Sequence, residues 1–156
     1  MPLRESTADH PEAANTAEET AFEKRHRLAR AQRSSALTED YVELIADLMD
    51  LNGEVRVTEL ARRLGVSHPT AVKSVARLRR DGFVTARPYR GIFLTEEGSQ
   101  LAARVRARHQ LVVRVLLELG VAQEDAEIDA EGIEHHVSDR TLEAFERYLA
   151  RSLASA

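Results

Sequence analysis

At 156 residues the chain is one domain or two small ones, and with 43% hydrophobic but only 4% aromatic residues its core must be mostly Leu, Val, Ala and Ile. It has no cysteine, which excludes disulfides and thiolate metal sites, and no apolar run near the roughly 20 residues of a membrane span. The net charge of −4 conceals a basic middle: residues 53–95 carry 9 Lys/Arg against 3 Asp/Glu, whereas the segments on either side are acidic, which points to a polyanion as partner of the middle.

Residues Met1 to Asn15 are polar and lack the apolar core of a signal peptide, so a soluble cytoplasmic protein is expected, without a membrane partner. Residues 1–36 read as an extension, at least partly disordered. Ala17 to Arg33 can form a charged helix, but Phe22 and Leu28 are its only large apolar residues, too few for a core face. Thr38 reads as a helix N-cap, with Glu39 and Asp40 in the first turn where the helix dipole favours acids. Leu44, Ile45, Leu48 and Leu51 form the apolar stripe of that helix, and Asn52-Gly53 stops it. Asp40 and Glu43 lie three apart beside the stripe. Dipole compensation is a sufficient reason for Asp40 alone.

Val57 to Leu64 predicts a short helix, Gly65-Val66-Ser67 a tight turn, and Ser67 the cap of a second helix that runs to Arg80 and ends at Asp81-Gly82. Two short helices joined by a Gly-containing turn are a helix-turn-helix unit. Short strands follow at Phe83–Ala86 and Gly91–Leu94, with a basic tip, Arg87-Pro88-Tyr89-Arg90, between them. A hairpin in that place is the wing of a winged helix, and it must pack on the helices to be stable. Ser67, His68, Thr70, Lys73, Ser74 and Arg77 project from the second helix away from its buried line of Ala71, Val75 and Leu78. Small polar residues early in such a helix can read base edges, and Lys and Arg later in it, with Arg87 and Arg90 on the wing, can hold phosphates.

Thr95 caps a long helix that ends at Leu119-Gly120, with the line Leu101, Val105, His109, Val112, Leu116. His109 on that line is either a core histidine or a ligand. A second helix is predicted over Val121–Val137, with Ala126, Ala130, Ile133 and Val137 inward, and a last one from the Ser138 cap to about Leu153. Gly132 inside the second helix either admits a close neighbour or is simply tolerated at about 1 kcal/mol. The fold expected is mainly α with a small β-hairpin wing: an extension over 1–36, a winged helix-turn-helix over 37–95 and a helical metal-binding and dimerisation domain over 96–156.

The stretch Asp129 to His136 carries the chemistry. Glu131, Glu134 and His135 stand at i, i+3 and i+4, on one face of a helix. Carboxylates so close repel unless a positive charge lies between them, and a divalent cation held by oxygens and an imidazole satisfies that. The plainer alternative is a solvated acidic face ending in histidines.

The segments EDYVELIADL, LARRLGVSHPTAVKSVARL, YRGIFLTEEG, ARHQLV and DAEGIEHHVS, in that order, make the chain resemble the manganese transport regulators of the diphtheria-toxin-repressor superfamily. The resemblance covers roughly Leu37 to Leu153. It implies a metal site of Asp40, Glu43, His109, Glu131, Glu134 and His135, holding one or two Mn²⁺ ions per protomer. It also implies a homodimer that binds a palindromic operator in double-stranded DNA and represses manganese uptake genes. The iron-responsive branch carries sulfur residues where this chain has Asp40 and Glu131, and hard oxygen donors favour manganese relative to such sites. Two rival readings stand beside it: a carboxylate-bridged di-metal enzyme, and a winged-helix regulator sensing another metal or an organic ligand.

Overall fold

The computed structural model describes residues 20–86 and 91–155. Six helices and one hairpin follow in the order α1 (Ala21–Asn52), α2 (Val57–Leu64), α3 (His68–Arg80), β1 (Val84–Ala86), β2 (Ile92–Leu94), α4 (Glu96–Glu118), α5 (Gln123–Glu134) and α6 (Asp139–Ser155).

The helix expected to begin at Thr38 begins at Ala21. Its N-cap is Thr20, whose hydroxyl accepts from Glu23 N while the Glu23 carboxylate accepts from Thr20 N, a reciprocal capping box. No glycine or proline occurs between Pro11 and Gly53, so nothing in the sequence breaks the helix. Thr38 is interior and its hydroxyl donates back to the Ser34 carbonyl at 3.2 Å. Glu39 and Asp40 therefore sit mid-helix, and dipole compensation does not account for them.

Tyr41, Val42, Ile45 and Leu48 of α1 are buried together with Val55, Leu60, Val75, Leu78, Val84, Ile92 and Ala102. That cluster sets α2, α3 and the hairpin against the second half of α1 and the start of α4. Gly65 makes the turn between α2 and α3 at φ 65°, a left-handed conformation that costs a side chain. Ser67 caps α3, its hydroxyl accepting from Thr70 N at 3.3 Å. The strands pair antiparallel with Val84 opposite Leu94 and Ala86 opposite Ile92, and Ile92 N donates to Val55 O at 2.8 Å, anchoring the hairpin to the helices. The tip with Arg87 and Arg90 lies outside the described residues. Gly98 lets the first turn of α4 press on the hairpin, since a Cβ there would lie 2.1 Å from the Phe83 carbonyl oxygen.

A second cluster unites Val112 and Val113 of α4 with Ala126 and Ala130 of α5, flanked by Leu116, Ile133, Leu142 and Phe145. α4 thus contributes to both clusters. Arg106 on α4 reaches across to Asp47 and Asp50 on α1. Leu119, Ile128 and Tyr148 remain exposed around the second cluster. Among the described residues no helix is long and apolar enough to cross a membrane.

α5 is shorter than expected. It starts after Ala122 and ends at Glu134, with His135 as C-cap. The chain turns there because Ser138 must open out to cap α6, where its hydroxyl accepts from Thr141 N at 3.3 Å. A Cβ on Gly132 would meet nothing within 4 Å, so this glycine serves no close approach.

Candidate metal centre and nucleic-acid face

Glu134 lies wholly buried at the end of α5, against α4. One oxygen, Oε2, lies 2.8 Å from Nδ1 of His109 on α4. The other, Oε1, lies 3.3 Å from Nε2 of His135 but has no hydrogen-bond partner. A buried carboxylate oxygen without a donor costs about 1–3 kcal/mol or more, and its presence calls for a cationic partner.

Around His109 stand Glu131, 3.6 Å from Nδ1, and Glu127, which accepts from Nε2 at 3.0 Å. Ligand atoms of His109, Glu131 and Glu134 all fall within 4.8 Å of one another. Glu43 on α1 is near enough to feel the charges of both Glu131 and His109. Around His135 stand Glu39, 2.7 Å from Nδ1, and Asp40, 3.1 Å from Nε2, both on α1. Glu39 also pairs with Arg108 on α4. Of the six residues of the expected ligand set, the structure gathers His109, Glu131 and Glu134 into one group; His135 adjoins it through Glu134 and pairs with Asp40, and Glu43 is linked to it through charge. His136 is separate: it is exposed and its Nδ1 donates to Gly132 O at 3.2 Å.

The protonation of these groups records an excess of negative charge. Burial lifts Glu134 above the ordinary carboxylate range, against the pull of His109 and His135. Burial also lifts Glu43, reinforced by the charges of Glu131 and Asp47. His135 is pushed up to about 10, first by its hydrogen bond to Asp40 and then by that to Glu39. Burial would lower His109, but Glu127 and Glu134 outweigh it and raise it. Glu39 moves the other way: burial opposes ionisation, and the hydrogen bonds from His135 and Arg108 prevail. The imidazolium protons and Arg108 supply part of the positive charge that this cluster demands. The donor set of hard oxygens and imidazole nitrogens, with one buried oxygen unsatisfied, fits a divalent cation.

Glu39, Glu127 and Arg108 belong to this locus and were missed from sequence. Glu127 was accessible to the same spacing argument, one helical turn before Glu131. Glu39 was hidden by its assignment to a first turn that does not exist. Arg108 meets Glu39 across 69 positions of sequence, which no local pattern reveals.

On α3, His68, Thr70 and Lys73 are exposed, as is Ser67 at its cap. Ser67 and Thr70 share their hydroxyls at 2.8 Å. Ser74 and Arg77 are half-buried. Arg77 does not project freely, because its Nη2 donates to Thr38 Oγ1 on α1 at 3.2 Å. Val72, 43% exposed and one step off the buried line, was also missed; an outward apolar group on such a helix suits a thymine methyl.

Residues 34–92 match the iron dependent repressor, N-terminal DNA binding domain, and residues 95–152 match the iron dependent repressor, metal binding and dimerisation domain. The chain belongs to the iron-dependent repressor family. This membership sets aside the di-metal enzyme weighed on sequence grounds, because the relatives are transcriptional regulators. One is the transcriptional regulator MntR of Salmonella typhimurium (strain LT2), 52% identical over 119 residues, which are 76% of each chain. Another is the HTH-type transcriptional regulator MntR of Geobacillus kaustophilus, 41% identical over 64% of this chain and 71% of that one. Among solved structures, a manganese-dependent transcriptional repressor in complex with manganese superposes with a TM-score of 0.65 at 31% identity, covering 72% of this chain and 53% of that one. The chain thus spans about half the length of the solved repressor it matches.

Proposed function

We propose that this family member is a manganese-responsive repressor that binds DNA as a homodimer, with Asp40, Glu43, His109, Glu131, Glu134 and His135 as ligands of one or two Mn²⁺ ions per protomer. The observation that carries the reading is the buried, donorless Oε1 of Glu134, set between His109 of α4 and His135, which itself pairs with Glu39 and Asp40 of α1. Its two oxygens face different histidines, so Glu134 serves both halves of the donor set. The relatives named for manganese regulation support the choice of ion. So does the donor set, since Mn²⁺ sits at the weak end of the affinity order and is favoured only where hard oxygens replace sulfur.

A bound Mn²⁺ ion supplies the positive charge that otherwise comes from protons. The chain's own residues do the rest. Asp40 and Glu43 hang from the helix whose far side packs α3 and the hairpin. Glu131, Glu134 and His135 hang from α5, and His109 from the α4 helix that joins the two clusters. Drawing these groups together fixes the DNA-binding half against the other half, which favours one spacing of the two α3 helices in a dimer. The matched dimerisation domain and the exposed Leu119, Ile128 and Tyr148 support two-fold assembly. A two-fold dimer reads a palindromic operator. We place the protein in the cytoplasm, acting on genes of manganese uptake.

The test is binding to a promoter fragment with Mn²⁺, with other divalent ions and with chelator. Tight binding with Mn²⁺ that chelator abolishes is the expected result. Equal binding in all three conditions would remove the metal from the mechanism.

A further inference from the structure

The first half of α1 lies largely before the family match, which begins at residue 34. From residue 20 to residue 38 it carries Lys24, Arg25, Arg27, Arg30 and Arg33 against a single acid, Glu23. Glu23 is turned back onto the Thr20 cap. From Ala21 to Leu28 and from Arg30 to Ser35 every residue is exposed. Phe22 and Leu28 are 61% and 48% exposed, and six residues apart they lie about 120° apart round the helix, so they form no packing stripe. The segment is built like a helix that meets a charged partner rather than one that buries against protein.

Its position names the partner. Thr38 accepts a hydrogen bond from Arg77 of α3, so α1 passes directly beside the helix that carries the nucleic-acid face. From Thr38 back to Lys24 the helix extends about 21 Å. That is the length of about six base-pair steps along a duplex. The basic residues are spread round the helix, which suits attraction to a string of phosphates and gives no means of reading bases.

We propose that the basic segment of α1, residues 24–33, is a second DNA-contact surface that engages backbone phosphates flanking the stretch met by α3. This rests on the reading of α3 as the DNA-binding helix. The contact is sequence-independent, so it adds equally to operator and random DNA, and it adds to the salt dependence of both.

The experiment uses the full chain loaded with Mn²⁺ and a long random-sequence duplex, titrated over a range of salt. The triple variant Arg25→Gln, Arg30→Gln, Arg33→Gln keeps good helix formers in place. Its control removes the same charge elsewhere: Arg114→Gln, Arg140→Gln, Arg147→Gln. The extension variant should lose at least tenfold in affinity at low salt and flatten the log–log salt slope by about two to three units for each protomer engaged, while the control changes little. Mn²⁺ binding and the sedimentation of both variants should match wild type. Equal slopes for extension variant and wild type would overturn the proposal, as would equal losses in variant and control. A variant that sediments as a smaller species would also overturn it, by making the segment a self-association surface. Lys73→Ala, run alongside, reports on α3 separately: weakened binding there with an unaffected extension variant condemns this proposal alone.

Discussion

His109 and His135 flank the same buried carboxylate, yet they face different parts of the molecule. The hydrogen-bonding partners of His135 on its other side, Glu39 and Asp40, both belong to α1. Those of His109, Glu127 and Glu134, both belong to α5. The His135 side chain is 7% exposed and that of His109 19%. Among the described residues, direct hydrogen bonds from this site to α1 therefore run only on the His135 side. On the His109 side α1 is represented by Glu43, which is linked through charge alone. Two residues of one type have been given two tasks, one spanning the halves and one fastening α4 to α5.

Glu134 is common to both, so losing it should cost most. Glu134→Gln retains the shape but removes the charge that two imidazoles share. The Mn²⁺ response of DNA binding should fall by more than about 100-fold, in line with losing a ligand. Added Mn²⁺ should no longer raise the thermal midpoint, because stabilisation by a ligand needs affinity for the folded state. A variant that still gains several degrees with Mn²⁺ would show that the buried oxygen is not part of the site.

The next largest effect tests the spanning side by itself. Glu39→Gln leaves Arg108 and His135 facing a neutral amide in a partly buried place. Hydrogen bonds to charged groups of this kind contribute about 2 kcal/mol, so stability without metal should fall by about that much in urea titration. Mn²⁺-dependent DNA binding should fall more than Mn²⁺ binding itself, since the bond that is lost is the one between halves. Equal losses in both would mean that Glu39 only supports the fold.

Much of this architecture could be read in advance, and the exceptions have causes. α2 and α3 fall where Gly65 and Ser67 place them, since a left-handed turn and a hydroxyl cap leave little choice. Thr38 misled because a hydroxyl satisfied by the carbonyl four residues back looks, in sequence, the same as one that caps a helix. The end of α5 was overrun because Ile133 and Val137 keep the apolar spacing across a turn. That Asp40, Glu43, His109, Glu131, Glu134 and His135 should act together was an expectation from resemblance, and the grouping of His109, Glu131 and Glu134 agrees with it. The partners that orient them, Glu39 and Arg108, were not expected, because an ion pair across the fold leaves no local trace.

Selectivity sharpens the comparison from outside. Glu131, with a side chain 67% exposed, and Asp40, at 44%, are the outermost carboxylates of the two sides. Their replacement should disturb folding little. Glu131→Cys, alone or with Asp40→Met, exchanges a hard donor for a soft one, and Fe²⁺ gains more from sulfur than Mn²⁺ does. Under anaerobic conditions the ratio of Mn²⁺ to Fe²⁺ activation should drop by about tenfold. Titration of promoter binding with each ion measures it; an unchanged ratio would place selectivity in Glu43 and His109.

The smallest effect concerns Glu127, half-exposed and bonded to the outer nitrogen of His109. A carboxylate there fixes the ring so that Nδ1 faces Glu131 and Glu134, and it makes the ring more basic. Both consequences bear on metal binding, with opposite signs. A more basic nitrogen is a better ligand, but it also holds its proton more firmly. Burial would lower His109, and Glu127 is the main cause of its being raised instead. With His135 at about 10, that ring is protonated at neutral pH without metal, and His109 is raised as well, so Mn²⁺ binding must displace protons. Apparent affinity should therefore go on climbing with pH up to about 10, where His135 loses its proton, instead of levelling near 7 as for free imidazole. Glu127→Gln keeps a hydrogen-bonding amide but drops the charge, so His109 should deprotonate more readily. At the acid end of that climb the two effects offset and affinity changes little. At its alkaline end, where proton competition at a relaxed His109 is gone, the loss of basicity remains and affinity should fall several-fold. Calorimetry in buffers of different ionisation enthalpy reads both the affinity and the protons released. If the variant matches wild type in each, Glu127 is an ordinary surface acid and His109 is oriented by α5 packing alone.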